Sequence, residues 1–331
     1  MDPIALIRTN CPRCGSFGSI RIVTTPDYEM SVQLPFEVGQ CLNCHFIYSS
    51  VRPDYKTLFS RFYPDDYLCY GSKQNWFVSM VDKQRMRRQA LQRFNLIKKY
   101  FPLSKNKVLE VGCATGEFLK VCFQHGNEVH GIEPNNKLSD SLKKSGINVI
   151  NNTLEEATVK DNSFDLICLF NVFEHLWDPV YSLYKLNSLL KTGGILVLEV
   201  PDFDSPWRKI FHHYWFLYHL PRHLSHFTRN QLNELMVEFG FRNEAILKQF
   251  RPTVNALSLK YAVQAHFQNK FIKCIFKENN PVILGMAIFF ELFSNLFFNS
   301  NQMLCIYKKN NNVEIKPSLI EEKEYGIIGA V

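Results

Sequence analysis

At 331 residues, with 46% hydrophobic residues and a net charge of +7, the chain is long enough for one large domain or two modest ones around a sizeable core. So small a charge excess permits an acidic partner without requiring one, and fits an ordinary solvated basic surface. The first residues, MDPIALIRTNCPRC, carry neither a long apolar run nor a small-residue cleavage site, so the 10 cysteines point to a reducing, cytoplasmic setting and away from a disulfide framework.

The chain opens on two knuckles, CPRC (Cys11, Cys14) and CLNC (Cys41, Cys44), with 26 residues between them. Each pair can sit on a tight turn and offer two thiolates, so the four together predict a tetrahedral site for structural Zn2+ with no position open to water. The segments RIVTT and FEVGQ between the knuckles read as a strand pair, and residues 1–52 as a zinc ribbon. In residues 53–104 an aromatic stretch, YKTLFSRFYPDDYLCYG, is bounded and broken by Pro53 and Pro64 and reads as a loop with short helical turns. A helix over 76–101 follows, with Ala90, Phe94, Ile97 and Phe101 on one buried face and Arg85, Arg87, Arg88 and Arg93 on a solvated one.

From residue 107 strands and helices alternate: KVLEVG, EFLKVCFQH, EVHGIEP, KLSDSLKKS, NVIN, FDLICLFN, DPVYSLYKLNSLLK ended by Gly193-Gly194, and GILVLEVP. The nearly continuous apolar strands suit a doubly wound parallel sheet covered on both faces, here over residues 105–251. TRNQLNELMVEFGF is a helix capped by Thr228, and strands near 244–250 and 303–308 complete the sheet. Residues 252–310 hold a helical insertion and the final strand, and 311–331 a loose tail. The apolar run VILGMAIFFELFSNLFF (282–298) is slightly short for a span and carries Glu291, Ser294 and Asn295. It reads as a helix packed on the protein or lying at a membrane surface.

The junction KVLEVGCATGEFL places two glycines and three small residues between a strand and a helix, where a ligand can approach the backbone and the free N–H groups of the helix start. A dinucleotide pyrophosphate is disfavoured, because Ala114 and Glu117 stand where its fingerprint has glycines. A phosphate-free ligand with a cationic centre fits better. Glu133, ending the second strand in GIEP, can accept both hydroxyls of a ribose.

Together VLEVGCATGEF, GIEP, NNTLEEATVKDNSFDLICLFNVFEHLWDP and LKTGGILVLEVPD resemble the class I S-adenosylmethionine-dependent methyltransferases over about residues 105–240. The resemblance implies a Rossmann-like, seven-stranded α/β sheet and S-adenosylmethionine as cofactor. It also implies that Glu110 and the backbone of Gly112 and Ala114 hold the methionine end, within the motif closed by Gly116, and that Glu133, next to Pro134, holds the ribose. Thr153 and Leu154 would border the adenine, and Asn171 would face the methyl donor. Ala114 departs from the family's glycine, and Glu110 can also be read as a buried carboxylate with a structural task.

A hydroxyl acceptor needs a base near the strand ends. Candidates are Glu174-His175 in FEHLWDP and the segment YHLPRHLSHFT, with His223, His226 and His175 as catalytic residues and Tyr218 and Arg222 as substrate contacts. A metal on His219, His223 and His226 is disfavoured, since no acid is near in sequence and Pro221 interrupts the spacing. The layout is similar to zinc-binding methyltransferases of sugar and natural-product pathways, some of which methylate carbon with a Tyr, Glu and His set. Here Arg222 precedes the matched histidine in place of Glu, which favours an oxygen of a small-molecule acceptor. Two rivals are a nucleic-acid methyltransferase using ribbon and basic helix as a clamp, and a scaffold without activity. The strand-four ending NVFEH, in place of a Pro-Pro-Tyr motif, speaks against the first.

Overall fold

The computed structural model describes residues 4–63, 76–267, 280–297 and 299–313; the stretch FYPDDYLCYG beyond Tyr63 and nearly all of the expected tail lie outside them. The N-terminal elements are β1 (Ile7–Arg8), β2 (Ser19–Asp27), β3 (Val32–Cys41), β4 (Ile47–Arg52), α1 (Tyr55–Phe62) and α2 (Trp76–Ile97). Then come β5 (Lys107–Val111), α3 (Glu117–Gln124), β6 (Glu128–Ile132), α4 (Asn136–Lys144), β7 (Asn148–Ile150), β8 (Phe164–Phe170), α5 (Pro179–Leu189) and β9 (Leu190–Pro201). The chain continues through α6 (Pro206–Phe211), β10 (Ser225–His226), α7 (Arg229–Glu238), β11 (Phe241–Gln249), α8 (Pro252–His266), α9 (Pro281–Phe297) and β12 (Gln302–Lys309).

Seven strands form one sheet in the order β11-β12-β9-β8-β5-β6-β7. β5 to β9 run parallel, and β12 is antiparallel to both of its neighbours. The chain winds outward from β5 to β7 and then jumps back to β8, so the order reverses between β5 and β8, where such sheets open a crevice at the carboxyl ends of the strands. Val108, Leu109, Val111 and the run Leu166–Leu169 are buried, as expected of strands covered on both faces. Side-chain caps start the helices where the sequence supplies them. Asn135 accepts from Leu138 N–H, Asp178 from Val180 and Tyr181 N–H, and Thr228 from Gln231 N–H.

The second sheet is antiparallel, β1-β4-β3-β2, and β10 joins its β4 edge through Ser225 and His226 opposite Tyr48 and Ile47. A strand that follows β9 thus completes the ribbon's sheet. Cys11, Cys41, Phe46 and Tyr48 share one buried cluster with Leu109, Val111 and Leu169 of the large sheet. The ribbon therefore packs into the main core.

Two local expectations are corrected. The helix before β9 ends at Leu189, and Gly193-Gly194 lie within the strand, Gly193 at φ +81°. Burial of Leu189 and Leu190 draws the chain into the sheet early, and the buried ammonium of Lys309 donates to the carbonyls of Asn187 and Leu190 at the helix end. Arg93 is not on a solvated face: its Nε donates to Glu199 at 2.8 Å, and its guanidinium lies 4.2 Å from the Phe170 ring centre. Ala90, Phe94 and Ile97 do form the buried face of α2.

α8 and α9 pack through Ala256, Ile283 and Ala287, and Glu291 is buried between Asn255 and Asn301. Among the described residues no helix is long and apolar enough to cross a membrane.

Glu199 joins three elements. Its side chain is fully buried, and it accepts from Arg93 Nε at 2.8 Å and Arg251 Nη2 at 2.7 Å. Burial alone would raise its carboxyl, but the two guanidinium groups overcome that and hold it down to about 2. Glu199→Gln should lower the unfolding free energy by about 3–5 kcal/mol in urea titration, because two cations lose their shared partner. The folded value lies below the ordinary carboxylate range, so this contribution is complete above about pH 4.5 and is lost as pH falls toward 2. The variant should flatten the acid limb of the stability profile.

Candidate functional site

The bend after β5 is left-handed three times within five residues, at Gly112 (φ +65°), Ala114 (φ +44°) and Gly116 (φ +67°). A Cβ on Gly112 would stand 2.5 Å from Val172 Cγ2, and one on Gly116 2.5 Å from Leu142 Cδ2. The small residues therefore admit neighbouring side chains of the protein itself, and Val172 ties the bend to the turn that follows β8. Ala114 holds a conformation that costs an ordinary residue about 1–2 kcal/mol.

Glu133 lies against this bend. Its Oε2 accepts from Ala114 N at 2.8 Å and its Oε1 from Asn135 N at 2.9 Å. Each carboxylate oxygen keeps a second lone pair, so the pair of oxygens can still receive ribose hydroxyls. Glu110 sits beneath, almost completely buried, and its Oε2 has no hydrogen-bond partner among the described residues. Burial is the main cause that pushes its carboxyl up to about 8, with Arg93 opposing and Glu133 adding. An orphaned carboxylate oxygen beneath this bend suits a ligand bearing a cationic amino acid end, while the N–H groups of Gly112, Cys113, Ala114 and Gly116, expected to be free, are taken by oxygens of Ile132, Glu133 and Cys113. Among the other expected contacts, Asn171 (φ +56°) accepts from Gln302 Nε2 at 2.7 Å, and Pro134 is exposed. The Thr153 hydroxyl accepts from Glu156 N–H, and the Leu154 side chain belongs to the main core.

The turn carrying Val172 continues as Phe173-Glu174-His175 and meets the segment Leu217–His226. His175, His219 and His223 each place one ring nitrogen within 4.8 Å of the others. His226 stands apart from that trio: both of its ring nitrogens lack partners among the described residues, and burial, then Arg208, holds it down to about 3. His223 Nδ1 faces the Leu217 carbonyl at 2.9 Å, which makes Nδ1 the protonated nitrogen and Nε2 a lone pair. Glu174 Oε1 is 3.9 Å from that Nε2, and neither carboxylate oxygen of Glu174 has a hydrogen-bond partner among the described residues. Burial pushes the Glu174 carboxyl up to about 8.

Arg222 is fully buried and donates to Asp27 at 2.8 and 3.0 Å and to Glu29 at 2.7 Å. Its charge is engaged inside the protein, so a substrate anion would have to displace two acids. Tyr218 is buried among Phe203 and Trp215, its ring in the core. Asp27, Glu29 and Tyr63, whose hydroxyl lies 2.8 Å from His175 Nδ1, escape sequence reasoning because they come from segments far from the histidines with no spacing signal.

In the ribbon, Cys11 Sγ is 3.5 Å from Cys44 Sγ and Cys14 Sγ 3.6 Å from Cys41 Sγ, and all four thiols are free of disulfides. Four thiolates at about 2.3 Å from one tetrahedral zinc stand about 3.8 Å apart, so this set fits such an ion with little adjustment. Burial raises Cys44 to about 11. At Cys14 burial is outweighed by hydrogen bonds from Ser16, Cys44 and Asn43, which bring it down to about 6.

A doubly wound sheet in this strand order, with a tight bend at the switch point and a strand-end acid gripping it, defines the class I S-adenosylmethionine-dependent methyltransferase fold. Residues 83–246 match the family model described as a methyltransferase domain, and the chain is an S-adenosylmethionine-dependent methyltransferase of that family. It is 25% identical over 195 residues to a ubiquinone biosynthesis O-methyltransferase of Saccharophagus degradans, covering 52% of this chain and 82% of that protein. It is 26% identical over 147 residues to an uncharacterised protein of Methanocaldococcus jannaschii, covering 44% of this chain and 69% of the other. A solved methyltransferase of Archaeoglobus fulgidus aligns at 22% identity with a TM-score of 0.47, covering 71% of this chain and 100% of its own.

Glu133→Ala should weaken S-adenosylhomocysteine binding by about 1.5–3 kcal/mol, the range of charge-assisted hydrogen bonds, when measured by isothermal titration. Unchanged affinity would remove Glu133 from the ribose contact.

Proposed function

We propose that this enzyme methylates an oxygen of a small molecule, a sugar or natural-product or glycan precursor, with His223 receiving the acceptor's proton. The observation that carries the reading is the fixed tautomer of His223, whose Nε2 lone pair lies in a buried cluster just beyond the Val172 turn that packs on the bend. Burial, then the neighbouring histidines, keeps His223 well below its ordinary value, so the ring is a neutral proton acceptor at physiological pH.

When bound, the cofactor supplies a sulfonium methyl group. The chain's own residues hold its ends through Glu110, the Gly112–Gly116 backbone and Glu133, exclude water with the ribbon hairpin, and take the proton at His223 Nε2. The relative of Saccharophagus degradans carries an O-methyltransferase name, in line with an oxygen acceptor. A nucleic-acid clamp draws less support from α2 than its arginine count suggests, because Arg93 is buried on Glu199 and Arg87 donates to Gln124. The ribbon's four thiolates hold Zn2+ in this reading, with a structural role.

His223→Ala should retain S-adenosylhomocysteine binding and lose turnover by about 100-fold or more, the usual contribution of a general base, measured with labelled donor and an extract of small-molecule acceptors. Turnover at the parent rate would retire His223 as the base. Purified protein should also carry zinc that thiol-reactive reagent releases, with a fall in Tm as the ribbon opens. A chain that binds no zinc and keeps its Tm would contradict the ribbon assignment.

A further inference from the structure

The geometry points to a second metal site, a divalent transition-metal ion held by His175, His219 and His223 beside the Glu174 carboxylate. The sequence pairs His219 and His223 with His226; the fold replaces His226 by His175, from a different turn, and brings acids that are distant in sequence.

The ring placement suits one ion. The centres stand 4.6 Å (His175–His223), 4.8 Å (His219–His223) and 6.1 Å (His175–His219) apart, nearly perpendicular to one another. Three imidazoles bound at about 2.1 Å to a tetrahedral ion have centres about 5 Å apart. Each ring also has an oxygen at one nitrogen. His223 Nδ1 meets the Leu217 carbonyl, and His175 Nδ1 meets the Arg222 carbonyl at 3.1 Å and the Tyr63 hydroxyl. His219 Nε2 lies 2.6 Å from Glu29 Oε2, and Arg222 Nε approaches the same nitrogen at 3.0 Å. Hydrogen bonds of this kind orient metal-bound histidines, and at His223 and His175 they leave the opposite nitrogen as ligand.

Arg222, with Lys260 nearby, offsets Asp27 and Glu29 on the wall of the cluster, which leaves Glu174 as the acid a cation would meet. Its two oxygens are buried without hydrogen-bond partners among the described residues, and one lies 3.9 Å from His223 Nε2. A divalent ion would give Glu174 the partner it lacks.

This inference rests on the reading of the cluster as the place where the acceptor loses its proton, and it changes the agent. An ion there would be held through His223 Nε2 and the other two rings and would supply Lewis acidity that makes an acceptor hydroxyl easier to deprotonate.

Full-length protein loaded with zinc and freed of excess by gel filtration should hold two equivalents by elemental analysis, one in the ribbon and one in the cluster. The His219→Gln/His223→Gln double variant should hold one. Cobalt as the second equivalent should show visible bands without thiolate charge transfer, a readout that needs no variant. One equivalent in the parent protein, or a second cobalt with thiolate bands, or two equivalents in the double variant, would overturn the site. One equivalent together with an inactive His223→Ala would remove the metal and keep the proton-acceptor reading; a fully active His223→Ala would remove that reading itself.

Discussion

The contact on which the rest of the structure turns is Arg222 with Asp27 and Glu29. A guanidinium with no exposed surface meets one acid through two parallel hydrogen bonds and a second through one. Burying three charges costs several kcal/mol per ion, and only this geometry offsets it. In return, the tip of the β2–β3 hairpin is fastened to the segment after β9. That segment then sends β10 to the edge of β4, and Leu224 N donates to Glu174 O at 2.8 Å. Ribbon, histidine segment and the turn after β8 are thereby one construction.

The same turn links the histidine cluster to the bend after β5. Val172 fills the space that a side chain at Gly112 would occupy, while Phe173 stacks on Phe227 within the main core. The glycines thus serve the packing of the protein itself. Strain at Ala114 is held in place by its hydrogen bond to Glu133, so the acid on the second strand braces the loop.

Much of the chemistry is gathered where burial has removed water. Glu110 and Glu174 are both pushed up to about 8 by desolvation, while Glu199, equally buried, is held down by two arginines. Glu199 therefore sits in a different charge state from Glu110 and Glu174, for reasons visible in their partners. Arg93 joins two of them, donating to Glu199 and opposing the rise at Glu110.

The sequence by itself determined the elements whose signals are local. Apolar runs marked the strands, Thr228 marked a helix start, the Cys-x-x-Cys spacing marked the knuckles, and the order of motifs marked the sheet. Only the tertiary structure decided that Leu190 leaves its helix for β9, that Arg93 points inward, and that His175 rather than His226 joins His219 and His223 beside acids from the ribbon. The physical reason is range. Periodicity and capping act over one or two turns of chain, whereas a buried charge finds its partner across nearly two hundred residues, and only the closed fold brings the two together.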